Sequence, residues 1–115
     1  MIVEKTYLRC FDLEATAEFY RALLERDGTR VGRNEYAFDL AGTWLSCVRL
    51  GGHEQTPHPL ALVLGAPRLP TARDIEHAGG RVQHHFPFAA PAGETIFATD
   101  PSGNAVCFLL IASPA

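Results

Sequence analysis

From Glu4 to Phe11 polar and hydrophobic positions alternate among good β-formers, a period of two that predicts a strand. The period lengthens after Asp12. Leu13, Ala17, Tyr20 and Leu24 recur at helical spacing, with Phe19 and Leu23 beside them. Glu14 to Arg26 is therefore predicted as a helix with Asp12 as its N-cap and Asp27-Gly28 as its end. Short strands are predicted at Thr29–Val31, Tyr36–Leu40 and Trp44–Leu50, with Arg33-Asn34-Glu35 and Ala41-Gly42-Thr43 as the turns between them. Gly51 to Pro59 is polar, proline-containing and without a period. After it the order returns: an apolar strand at Leu60–Leu64, a helix at Pro70–Ala78 closed by Gly79-Gly80, and strands at Arg81–Phe88, Thr95–Thr99 and Ala105–Ile111.

Two successive βαβββ units account for all of these elements, so the predicted class is α+β. The halves share little identity, and the repeat lies in the order of their elements. One match stands out: Gly42 to Leu50 parallels Gly103 to Leu110, with Cys47 and Cys107 near the middle of each last strand. A chain of 115 residues is long enough for one real core and too short for two. Residues 1–115 are read as a single domain: module one about 1–50, a linker about 51–59, module two about 60–115.

Composition narrows the class. A hydrophobic content of 47% is that of an ordinary globular protein, and no apolar run approaches the roughly 20 residues that span a bilayer. Glu4 and Lys5 interrupt the first apolar residues, unlike a signal peptide, so a cytoplasmic protein without membrane partners is expected. A net charge of −3 argues against nucleic acid as a partner. Cys10, Cys47 and Cys107 are odd in number and lack a CxxC spacing, which fits reduced thiols better than a disulfide scaffold.

The most specific motif precedes the last strand. In Asp100-Pro101-Ser102-Gly103-Asn104, Pro101 presets a turn, and Gly103 and Asn104 tolerate left-handed geometry. With Asp12-Leu13, Phe19-Tyr20 and Leu23-Leu24 in the first half, and the Pro91-Ala92-Gly93-Glu94-Thr95 approach to the seventh strand, this resembles the vicinal oxygen chelate superfamily: glyoxalases, bleomycin-resistance proteins and extradiol dioxygenases. The resemblance spans nearly the whole chain. It implies a curved, cup-shaped mixed sheet with the helices on the outer face, and a dimer with binding crevices near the subunit contact.

In the superfamily's metal-dependent members, two His/Gln-type ligands come from the first strands of the modules and two carboxylates from the last. Carried onto this sequence, the first position is Lys5, whose ammonium has no lone pair to offer. The second falls at Pro59 or His58, the third at Ser46 or Cys47, and the fourth at Cys107, where a glutamate is expected seven residues after the aspartate. No carboxylate stands at either strand position, which disfavours an oxygen-bound ion. Cys47, His58 and Cys107 could instead converge as a soft zinc site, weighed against two packing cysteines and a solvated histidine. A thiol activated by Lys5 is a further alternative without a base or oxyanion donor to serve it. His84 and His85, adjacent on a strand, face opposite sides and cannot chelate together. His53, His77, Glu35, Glu54 and Glu94 are read as exposed.

The period of two places Lys5, Tyr7 and Arg9 on the face that carries the ligand in metal-binding relatives. Tyr36, Phe38, Trp44, Cys47, Phe86, Phe88 and Cys107 complete the expected ligand-binding set, the parity of the third and fourth strands being open. Trp44 and Tyr7 would stack on a planar ligand while Arg9 or Lys5 meets an acidic group. The expected function is a non-enzymatic protein that binds an aromatic or amphipathic small molecule, as in antibiotic sequestration of the bleomycin-resistance type, without catalytic residues, metal or cofactor, and as a homodimer. The alternative is a metal-dependent glyoxalase-like lyase or isomerase, or a dioxygenase, with atypical ligands.

Overall fold

The structure, a computed structural model, describes residues 4–49, 62–89 and 93–111. Its elements run β1 (Lys5–Arg9), α1 (Leu13–Leu24), β2 (Thr29–Gly32), β3 (Glu35–Asp39), β4 (Trp44–Val48), β5 (Leu62–Ala66), α2 (Ala72–His77), β6 (Arg81–Ala89), β7 (Gly93–Thr99) and β8 (Ala105–Leu110). The two βαβββ modules are present. Each forms a four-stranded mixed sheet, in the orders β1-β4-β3-β2 and β5-β8-β7-β6, with the first and last strands of the module parallel and the other pairs antiparallel. The expected linker, residues 51–59, lies outside the described residues.

Local chemistry explains most of the boundaries. The Asp12 side chain accepts from the Ala15 N–H at the start of α1. That helix ends at Leu24 with Glu25 in the left-handed region (φ 52°), earlier than Asp27-Gly28 suggested. Gly28 serves a close approach instead, since a Cβ there would lie 2.2 Å from the Tyr36 ring. Thr71 and Asp74 form a capping box that opens α2.

Helix α1 joins the modules. Its buried face (Leu13, Thr16, Ala17, Phe19, Tyr20) packs on the β3–β4 side of the first sheet and meets the second module as well. Phe19 and Tyr20 stack edge to face at 4.9 Å, and Phe19 lies against Gly80. A Cβ on Gly80 would stand 2.4 Å from the Phe19 ring and 2.7 Å from the Thr99 carbonyl oxygen. Because one obstacle is backbone, Gly80→Ala is expected to cost about 1–2 kcal/mol, measurable by urea titration.

The Asp100-to-Asn104 turn completes this joint. Gly103, at φ 83°, donates its N–H to the Asp100 carbonyl (2.8 Å). One Asp100 carboxylate oxygen accepts from the Ser102 and Asn104 N–H groups, each at 2.9 Å. The other accepts from the Tyr20 hydroxyl (2.8 Å) and the Asn104 amide (3.2 Å). Asn104 also donates to the Arg9 carbonyl (2.8 Å), and Ser102 and Thr16 share a hydroxyl–hydroxyl bond of 2.6 Å. The motif is therefore a buried polar clasp between β8, β1 and α1, and among the described residues no buried side-chain polar atom lacks a partner.

Leu8, Cys10, Phe38, Leu45 and Cys47 of the first sheet and Leu64, Ile96, Val106 and Phe108 of the second belong to one core with the helices. Among the described residues no strand of one sheet pairs with the other. The helix-covered faces thus meet around α1, and the uncovered face of each sheet lies on the far side from the shared core.

Candidate functional site

The register fixes which side chains reach the uncovered faces. Lys5, Tyr7 and Arg9 stand opposite Trp44, Ser46 and Val48, which in turn stand opposite Asp39, Ala37 and Glu35. Since side chains alternate, these nine residues share the uncovered face of the first sheet. Tyr36, Phe38 and Cys47 occupy the intervening positions, and the structure corrects their placement in the ligand set. Phe38 and Cys47 are fully buried under α1, and Tyr36 packs against Phe38 at 5.4 Å and beneath the Arg30 guanidinium. Cys47 is held against Cys10, and that contact together with burial pushes its thiol far above the ordinary range.

Three residues meet at the centre of the uncovered face. Lys5 Nζ lies 3.1 Å from Glu35 Oε2, and the Ser46 hydroxyl donates to the same oxygen. The Lys5 ammonium also stands 4.6 Å from the centre of the Tyr7 ring. Tyr7 and Glu35 together raise the lysine's pKa, while Ser46 first and Lys5 second lower that of Glu35, so both groups are charged at neutral pH. Glu35 belongs to β3 and not to a turn, a second correction: a carboxylate does reach this face, from the third strand instead of the fourth. Around the trio Tyr7 and Trp44 are 54% and 42% exposed.

The uncovered face of the second sheet is different in kind. Val63, Cys107, Phe97 and His84 form a row across it, with Phe86 beside them. His84 stacks on Phe86 at 4.2 Å, and Phe86 meets Phe97 edge-on at 5.7 Å. His85 points to the other side and pairs with Glu94 at 2.6 Å. Cys107 is buried within this wall, and burial raises its pKa, which keeps it a thiol. His58 and the side chain of Phe88 lie outside the described residues.

These placements separate the fallback metal set, since Cys47 faces the core and Cys107 faces outward. Counted from the first residue of each last strand, the partner of Cys107 is Ser46. The donor set does not fit a divalent ion: the first-strand position carries an ammonium, the fourth-strand position carries a hydroxyl, and Glu35 is already engaged by both. Among the described residues no three His, Cys, Asp or Glu side chains gather as a metal site. A groove of about 1220 Å³ runs elsewhere, between the end of α1, the β3–β4 turn, β5 and α2, and includes none of the predicted ligand residues.

Duplicated βαβββ modules, each with one helix-covered and one open sheet face, are the architecture of the vicinal oxygen chelate class. Within it, the chain belongs to the glyoxalase-like domain family, which it matches over residues 5–109. The chain resembles a glyoxalase-related enzyme from Fulvimarina pelagi at 21% identity and TM-score 0.77, covering 96% of this chain and 88% of that one. A glyoxalase/bleomycin resistance protein from Albidiferax ferrireducens is similar at 21% identity and TM-score 0.76, covering 96% and 100%. A lactoylglutathione lyase from Agrobacterium tumefaciens is similar at 17% identity and TM-score 0.69, covering 95% and 92%. At these identities the likeness is one of fold. A search of curated proteins finds no match. Among the described residues no helix is long and apolar enough to cross a membrane.

Proposed function

We propose that the chain is a non-enzymatic binding protein that sequesters an aromatic or amphipathic small molecule, of the kind that confers antibiotic resistance by mass action. The observation that carries this reading is the Lys5–Glu35–Ser46 trio at the centre of the open face. It fills with an internal ion pair the place where metal-dependent relatives present ligands. Exposed rings on both open faces supply the apolar contact area of a small-molecule site.

The protein acts as a homodimer in this reading. The polar, tyrosine- and tryptophan-bearing face of one copy meets the His84–Phe86–Phe97 wall of the other, because no helix or strand among the described residues roofs either face. Val63 and Phe86 remain 58% and 40% exposed there, an apolar surface that a second copy would cover. Light scattering at micromolar concentration is expected to give twice the chain mass of 12.6 kDa. A monomer at all concentrations would contradict the shared cup.

Elemental analysis of the purified protein is expected to find well under one divalent ion per chain. Planar drugs should perturb the emission of Trp44, the single tryptophan, at micromolar levels. One tightly held ion per chain would overturn the proposal in favour of a metal-dependent lyase, isomerase or dioxygenase.

A further inference from the structure

We propose that the first open face selects a planar aromatic anion, with an acidic oxygen bonded to the Lys5 ammonium and its ring lying against Tyr7 and Trp44. This rests on the binding-protein reading and narrows its ligand class. Lys5 is the direct cross-strand neighbour of Trp44 and shares its face with Tyr7 two residues on, so the ammonium is flanked by two exposed rings. An ammonium offers three N–H donors. Glu35 engages one of them at 3.1 Å and the Tyr7 ring stands 4.6 Å from the ammonium, so a donor can be turned to a ligand at the mouth of the face.

The charges on this face are unequal in availability. Glu35 spends its Oε2 inward, on Lys5 and on Ser46, which is fully buried beneath it. It acts as a positioning residue that orients the ammonium and keeps it charged. The Lys5 side chain remains 36% exposed, so its charge is presented outward. Asp39, across the strand from Trp44, is the carboxylate through which a cationic ligand would bind, and Arg9 stands at the other end of β1, in the row of Val48 and Glu35. An anion gains a charge-assisted hydrogen bond at Lys5.

The test uses the full chain and three isosteric probes, 2-naphthoate, 2-naphthamide and 2-naphthylmethylammonium, titrated by calorimetry. Naphthoate is expected to bind about tenfold more tightly than the amide, and the ammonium more weakly than either. Lys5→Met should abolish the preference for naphthoate over the amide, while Lys5→Arg should retain it. Lys5 is the only lysine, so naphthoate, and not naphthamide at equal concentration, should also protect the wild-type chain's one ε-amine from reductive methylation. This second readout needs no variant to fold. Equal affinity for naphthoate and naphthamide, or tightest binding of the ammonium, would overturn the anion assignment and leave aromatic binding standing. Heat from none of the three would overturn both.

Discussion

Asp100→Ala is expected to destabilise the fold by about 3 kcal/mol, a lowering of the urea midpoint with little change in slope. Four donors converge on that carboxylate, and one of them, the Tyr20 hydroxyl, ties the turn before β8 to α1, while the other three come from Ser102 and Asn104 within the turn. Truncation leaves these buried donors without an acceptor, which costs more than the bonds themselves contribute. Tyr20→Phe removes one donor and leaves three, so its cost should be nearer 1 kcal/mol. The joint also has a pH signature. Burial raises the Asp100 pKa against the opposing pull of Tyr20, Asn104 and Ser102, from an ordinary value of 3.8. A raised folded pKa means the folded state takes up the proton first, so this group's contribution grows as pH falls through the raised value and is complete below 3.8. The stability gap between wild type and Asp100→Asn should therefore widen between pH 7 and pH 4. A gap that narrows on acidification would place the carboxylate in a net stabilising role as an ion.

Trp44→Ala should weaken binding of an aromatic ligand about thirtyfold, or 2 kcal/mol, while changing folding stability by less than about 0.5 kcal/mol. The indole is 42% exposed on the open face and, among the described residues, lies outside the core cluster, so its loss opens no core cavity. Its neighbour Leu45, one residue on and buried under α1, would show the reverse pattern. Calorimetry with 2-naphthoate, paired with urea titration of the same variant, separates the two. Equal binding by Trp44→Ala and wild type would remove the first sheet's open face from the site.

The contrast between Trp44 and Leu45 shows what was legible in the sequence. Strand β1 and helix α1 could be read directly, because one polar face and one apolar face leave a clean period. Strands β3 and β4 could not: Tyr36-Ala37-Phe38 and Trp44-Leu45-Ser46-Cys47 are apolar or small at every position, so alternation carries no sign of which side is covered. Pairing with β1 supplies it, through Lys5 opposite Trp44. The misplacement of Cys47 was avoidable in part. Gly42 to Cys47 is five residues and Gly103 to Cys107 is four, so the two cysteines differ in parity and must face opposite ways. Glu35 was hidden by its neighbours, since Arg33-Asn34-Glu35 has the composition of a turn while only Arg33 and Asn34 make it. His84 escapes a reading of the sequence for a related reason. A bulge between Val82 and His84 shifts the alternation of β6, so Val82 packs against the core while His84, two residues on, joins Phe86 on the open face.

Binding without metal is the central claim, and chelator-treated protein tests it most directly. Calorimetric titration of such protein with 2-naphthoate should give micromolar affinity that added Mg²⁺, Mn²⁺ or Zn²⁺ leaves unchanged. Binding that appears only when one of these ions is restored would contradict the account and turn Lys5, Glu35 and Ser46 from the heart of the site into its periphery.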